Sequence, residues 1–155
     1  MKIVKAKEED IQNLIELMID ADNRNKEWAE DRANKFVLNK NQDKLILLAR
    51  ENNKLIGYLG IKKYEDNPAK KFTKLDNYAW ITWIAILPKY RGKGIGSILL
   101  NSADKYIKKF DKKGVLLDCK EKLISFYNKN GYIMLGKYED KGALRYVMEK
   151  KLKWK

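Results

Sequence analysis

The run Tyr78 to Leu87, "YAWITWIAIL", is the longest predominantly apolar stretch of the chain, and Pro88 ends it. Its β-branched and aromatic residues suit a pleated surface, so it reads as a central strand. The next segment is just as restrictive. Lys89 to Leu100, "KYRGKGIGSILL", puts Gly92, Gly94 and Gly96 at alternate positions. From there Ile95, Ile98, Leu99, Ala103, Tyr106, Ile107 and Phe110 keep helical spacing. A strand, a glycine turn and a helix in that order are the units of an α/β chain.

The remaining segments extend this reading. Ile3-Val4 is a short first strand. Ile11, Leu14, Ile15, Met18 and Ile19 mark a helix with one buried face, and Glu8, Glu9 and Asp10 suit its positive end. A second helix carries Ala29, Ala33, Phe36 and Val37 on one side. "KLILLAR" (Lys44 to Arg50) and "LIGYLGI" (Leu55 to Ile61) read as strands joined by a hairpin turn at Glu51 to Lys54. Lys62 to Asn77 is a charged connection. Val115 to Cys119 reads as a short buried strand, a brief helix from about Glu121 stops at Gly131, and two last strands span Ile133 to Tyr138 and Ala143 to Lys150. The order β-α-α-β-β-β-α-β-α-β-β predicts one α/β (α+β) domain over residues 1–155, with a mixed, mainly antiparallel central sheet flanked by helices.

Residue totals remove several chemistries. The chain has no histidine and one cysteine, Cys119. Ser-His-Asp and Cys-His catalysis are therefore excluded, an internal disulfide is impossible, and no metal is expected. No stretch resembles a signal peptide or a membrane span, so a cytoplasmic protein is expected. The net charge of +13 favours anionic partners.

The glycine stretch fits neither of two common phosphate loops. A Walker loop needs a lysine before its serine or threonine, whereas Gly96 is followed directly by Ser97. The dinucleotide fingerprint needs a third glycine at position 99, which is leucine. Arg91-x-x-Gly94-x-Gly96 between a strand and a helix does fit an anion site. Turn and helix N–H groups converge there, glycines allow close approach, and Arg91 and Lys93 supply charge. A plain turn would need only one glycine.

At these residues the chain resembles a known family. Arg91-Gly92-Lys93-Gly94-Ile95-Gly96, after a strand ended by Pro88, is similar to the acyl-CoA-binding signature of the GNAT N-acetyltransferase superfamily. Phe126-Tyr127-Asn128-Lys129-Asn130-Gly131-Tyr132 is similar to its "FYxxxGF" segment. The resemblance implies an acyl-CoA N-acyltransferase type of fold and acetyl-CoA as cosubstrate. It implies pyrophosphate on Arg91, Gly92, Lys93, Gly94, Ile95, Gly96 and Ser97. It further implies pantetheine along the backbone of Ile84, Ala85 and Ile86, in a slot where Trp80–Leu87 and Val115–Cys119 splay apart. Tyr127 stands where the family protonates the departing thiolate. Two positions depart from the pattern: Lys120 replaces a frequent asparagine, and Thr82 replaces a frequent glutamate base. Water-mediated deprotonation would then fall to Glu27, Glu30 or Asp76.

From Glu8 to Asp31 the chain carries nine acids against two bases, net −7, leaving +20 for the rest of a chain at +13. In the family this segment walls the acceptor site, which implies a cationic amine, either a small molecule or a peptide. Trp28 and Trp83 read as core residues. The expected partners are thus an amine acceptor and a second copy as a homodimer, without a membrane. Two other readings stand beside the enzyme. One is a non-catalytic acyl-CoA sensor. The other is a nucleic-acid-binding module using the +20 remainder and the tail Lys150 to Lys155, against which no recognition motif appears.

Overall fold

The computed structural model describes residues 1–65 and 67–153. Its strands and helices follow the predicted order. They are β1 (Lys2–Lys5), α1 (Ile11–Asp22), α2 (Lys26–Val37), β2 (Lys44–Glu51), β3 (Lys54–Lys62), β4 (Tyr78–Ile86), α3 (Ile95–Lys109), β5 (Gly114–Cys119), α4 (Ile124–Lys129), β6 (Ile133–Asp140) and β7 (Ala143–Lys151). Seven strands make a mixed sheet of order β1-β2-β3-β4-β5-β7-β6, with β4 in the middle as expected. Strands β4 and β5 run parallel, while β1–β2, β5–β7 and β6–β7 are antiparallel. The β4–β5 ladder comprises Tyr78↔Gly114, Ala79↔Val115 and Trp80↔Leu116 and includes no later residue of either strand. The chain divides into two compact units, Met1–Ile61 with Thr82–Ala103, and Lys62–Ile81 with Asp104–Lys155.

In the first unit, α1 buries Leu14, Ile15, Leu17, Met18 and Ala21, and α2 buries Ala29, Ala33 and Phe36. They share a core with Ile46, Leu48, Tyr58 and Ala85. Glu8 to Asp10 do not form the first turn of α1; they make a separate 3-10 turn before it. Asp10 is buried, and its carboxylate accepts from the Lys7 backbone N–H and from Arg50 Nη2, each at 2.8 Å. It is thus a bracket between the turn and β2 rather than a surface charge. The β2–β3 hairpin closes through Asn52 and Asn53, with φ of 49° and 70°. Two successive left-handed residues are what a twisted two-residue hairpin requires, and asparagine tolerates them.

In the second unit Trp80, Leu116 and Val147 form a core with Ala69 and Leu75. The expected charged connection is therefore partly structural. Its two 3-10 turns, Pro68–Lys71 and Leu75–Asn77, deliver Ala69 and Leu75 to the sheet, and the Asn67 side chain caps the first by accepting from Ala69 N–H at 2.8 Å. The helix expected from about Glu121 opens as a 3-10 turn, Glu121–Leu123, and becomes α-helical only at Ile124. In α3, Ile95, Leu99, Ala103 and Ile107 are buried as predicted, and Leu100 joins them, but Ile98 is 42% exposed. At about 100° per residue, Ile98 falls off the stripe defined by the other four.

Strands β3 and β4 approach closely at Gly60. A Cβ there would lie 2.5 Å from Thr82 Oγ1 and 2.5 Å from Trp83 Cε3. Gly60→Ala is therefore expected to destabilise the protein by about 1–3 kcal/mol through overpacking. Urea denaturation should show a lower midpoint with an unchanged m-value; a parental midpoint would show that β3 and β4 have room to spare.

Candidate active site

The turn between β4 and α3 lies wholly in the first unit. Leu87 N–H reaches Ile56 O at 2.8 Å, Tyr90 N–H reaches Leu87 O at 2.9 Å, and Arg91 N–H reaches Pro88 O at 3.3 Å. The next backbone N–H with a protein acceptor among the described residues is that of Ile98, which reaches Gly94 O at 3.1 Å. Between them, the N–H groups of Gly92 through Ser97 have none. Unpaired amides at the start of a 15-residue helix carry partial positive charge, which favours an anion near them.

The three glycines serve this turn differently. Gly92 and Gly94 have φ of 76° and 82°, a region other L-residues rarely adopt, and a Cβ on either would meet no atom within 4 Å. Gly96 lies inside α3, where glycine costs about 1 kcal/mol relative to alanine, and it has no left-handed backbone to justify it.

Charge around the turn comes from more of the chain than the motif. Lys93 Nζ lies 5.4 Å from the centroid of the Tyr90 ring, and Lys54 Nζ, from the start of β3, lies 5.7 Å from the same ring. Lys54 has no sequence signal; only the fold brings it to the turn. Arg91 is exposed, yet its guanidinium is not idle. Its Nε donates to Ile86 O and its Nη2 to Ala21 O, both at 2.9 Å. Arg91 therefore ties the turn to the end of β4 and to the carbonyl end of α1, where a cation also opposes the helix dipole. Of the predicted pantetheine-contacting positions, Ile86 already has its carbonyl engaged, Ala85 is buried against the α1–α2 core, and Ile84 is half-buried.

Tyr127 belongs to the second unit. It is the one buried residue of α4; Leu123 is exposed, and Ile124 and Phe126 are half-buried, so the expected apolar helix face reduces to Tyr127. Its ring meets Phe126 at 5.0 Å and Tyr132 at 5.8 Å, both edge-on. Burial, with smaller contributions from Cys119 and Asp118, pushes the Tyr127 hydroxyl well above the usual phenol range. It is therefore a proton donor throughout the neutral range. Cys119 is 2% exposed, and burial likewise raises its thiol, which suits a small apolar residue rather than a nucleophile.

The acidic segment is less acidic in three dimensions than in sequence. Asp10 pairs with Arg50, Asp22 with Arg24, Glu30 with Lys26, and Asp31 with Arg32 and Lys35. Among the described residues Glu8, Glu9, Glu16, Asp20 and Glu27 have no ion-pair partner. Glu16 and Asp20, one turn apart on α1, line a groove of about 260 Å³ with Asn13, Asn53, Leu87 and the cation Lys54. Glu27 and Asp76, candidates for a water-mediated base, are exposed. Trp28 and Trp83 are half-buried and pack against the α1–α2 core, edge-on to each other at 5.2 Å, with the Arg24 guanidinium 4.2 Å above Trp28. The Thr82 hydroxyl is buried without a protein partner among the described residues. No cluster of three His, Cys, Asp or Glu occurs among those residues, and no helix there is long and apolar enough to cross a membrane.

Residues 11–132 match the family model described as the acetyltransferase (GNAT) family. No curated protein matches the chain. Solved structures resemble it over nearly its full length. The PaiA N-acetyltransferase of Thermoplasma acidophilum, in complex with coenzyme A, is 25% identical with a TM-score of 0.66, covering 97% of this chain and 98% of that one. A GNAT-family acetyltransferase of Streptococcus pneumoniae is 19% identical with a TM-score of 0.72, covering 97% and 99%. The aminoglycoside 6'-N-acetyltransferase of Enterococcus faecium is 14% identical with a TM-score of 0.72, covering 97% of each chain.

The two carbonyl bonds of Arg91 need a planar fork, which an ammonium cannot reproduce. Arg91→Lys should therefore behave like Arg91→Ala, with faster hydrogen exchange in both at the bonded amides that flank the turn, those of Tyr90, Arg91 and Ile98. Parental exchange in the lysine variant would show that charge alone orders the turn.

Proposed function

Because the chain belongs to the GNAT acetyltransferase family, we propose that it transfers an acetyl group from acetyl-CoA directly to a primary amine in a ternary complex. The observation that carries this is the row of unpaired N–H groups from Gly92 to Ser97 at the head of α3, with Lys93 and Lys54 beside it. Such a row stabilises the pyrophosphate of an acyl-CoA. Ile84, Ala85 and Ile86 would lie along the pantetheine arm, whose amides need backbone partners. A cytoplasmic setting, where acetyl-CoA is made available, suits this chemistry.

Tyr127 is assigned to the leaving sulfur. A phenol with pKa about 10 facing a thiolate whose acid has pKa about 8.5 gives up its proton at a cost of about 2 kcal/mol. Burial raises Tyr127 above that value, so complete transfer costs more. Hydrogen-bond donation to the developing thiolate is the less demanding role, and it stabilises the same charge. Amine attack on the thioester carbonyl forms the amide and expels the sulfur; water carries the amine's proton away, since Thr82 offers no carboxylate. Glu16 and Asp20, two carboxylates against the one ammonium of Lys54 in the same groove, favour a cationic acceptor, drawn by field rather than by a specific contact. The same Thr82 is what favours the second reading, an acyl-CoA sensor without turnover.

An acetyl-CoA-dependent thiol-release assay over a panel of amines separates the readings. Turnover is expected, with cationic amines ahead of neutral ones and with KM rising with salt, since the Debye length is about 8 Å at physiological ionic strength. Binding without thiol release would establish the sensor. CoA should also raise Tm by mass action. Gly94→Asp should abolish that rise, and Gly94→Asn, which tolerates positive φ and adds no charge, should retain part of it; an equal rise in both would remove the phosphate from this turn.

Tyr127→Phe keeps the ring and removes the hydroxyl. Acetyl-CoA affinity should be nearly unchanged while kcat falls about 10²- to 10⁴-fold. A near-parental kcat, measured where chemistry limits turnover, would return Tyr127 to the role of a core aromatic.

A further inference from the structure

A helix as short as α4, six residues, has little capacity to hold a side chain by itself. Tyr127 must be fixed from outside the helix, and the second unit shows by what. Tyr132, 1% exposed, follows the helix and bonds back to it, its N–H reaching Tyr127 O at 3.1 Å. The Tyr132 ring meets the Tyr127 ring at 5.8 Å with planes at 73°. Tyr132 is in turn held by a charge. Lys150 of β7 places Nζ 5.9 Å from the Tyr132 ring centroid, and its stem lies along Gly131, where a Cβ would stand 3.3 Å from Lys150 Cε. That ammonium bonds Asp104 Oδ2 of α3 at 2.7 Å, and both side chains are about four-fifths buried, being 19% and 20% exposed.

We propose that Tyr132 is a positioning residue for Tyr127, and that the Asp104–Lys150 ion pair holds Tyr132 in that position. The inference rests on Tyr127 acting at the leaving sulfur. Its physical content is a chain of contacts running from α3 through β7 to the hydroxyl that meets the sulfur. A loosened ring costs catalysis and not binding, because a misplacement of about 1 Å at the reacting atoms can cost up to about 10²-fold in rate. The ring of Tyr132 carries the effect. Its hydroxyl is buried without a protein partner among the described residues and makes no bond to Tyr127.

The test pairs kinetics with a direct view of the ring. Protein labelled with 3-fluorotyrosine gives a ¹⁹F resonance for Tyr127, assigned by its loss in Tyr127→Phe. Tyr132→Leu and Lys150→Met, which keeps the lysine stem, should shift or broaden that resonance. Both should lower kcat about 10- to 100-fold while leaving the KM for acetyl-CoA within about two-fold. Tyr132→Phe and Lys150→Arg should restore both readouts. Where Lys150→Met fails to fold, Asp104→Asn gives the same measurement from the other side of the pair. An unmoved Tyr127 resonance in a folded Lys150→Met protein overturns the positioning role, even if Tyr127→Phe slows turnover. So does a loss in kcat that persists undiminished in a Tyr127→Phe background. A resonance that moves while Tyr127→Phe turns over normally overturns the acid role and the positioning role together.

Discussion

The guanidinium of Arg91, shared between the carbonyls of Ile86 and Ala21, is the interaction on which the arrangement of the first unit turns. β4 ends at Ile86, α1 ends at Asp22, and the glycine turn begins at Gly92. One side chain is bonded to the first two and adjoins the third. Without it the turn would have only the backbone bonds at Tyr90 and Arg91 on one side and Ile98 on the other. The amides between them would sample many directions, and a dipole that fluctuates stabilises an anion less than one already aimed. The order of the turn comes from an arginine that lends two of its five N–H donors to the protein itself.

Internal pairing also explains how charge is distributed. A net charge of +13 could be read as a diffuse attraction for anything negative. In the fold, several acids of the Glu8–Asp31 segment are engaged with neighbouring cations, and two of them, Asp10 and Asp31, draw partners from beyond it, so that stretch is somewhat less acidic than its composition states. What remains local is informative: Lys93 and Lys54 at the turn, Glu16 and Asp20 on α1. In the tail, Lys150 is committed to Asp104, which leaves one cation fewer for nucleic acid; Trp154 and Lys155 lie outside the described residues.

The order of strands and helices was legible because each signal was local. The apolar run of β4, the paired asparagines at the β2–β3 turn and the helical stripe of α1 depend on residues a few positions apart. The glycine turn between β4 and α3 was legible for the same reason, Gly92, Gly94 and Gly96 standing within one short motif. Illegible features were those that join distant positions. Nothing near Arg91 in the chain indicates Ala21 O as its acceptor, nothing in Lys54 indicates Tyr90, and nothing in Lys150 indicates Asp104 and Tyr132. Asp10 reads as a helix-end charge in the sequence because its partner, Arg50, is forty residues away. The 62–77 connection reads as solvated because its few apolar residues, Ala69, Phe72 and Leu75, are spaced by 3-10 turns that have no strong periodic signature.

Gly92 and Gly94 have a stereochemical meaning apart from space. A side chain at either position would meet open surroundings, so bulk within the protein is not what forbids one. The restriction is handedness. The backbone passes twice through the conformational region that mirror-image amino acids prefer, and glycine, being achiral, belongs equally to both hands. The turn is a brief inversion of chirality in a chain of L-residues. It is the inversion, not the absence of atoms, that reserves these two positions for glycine.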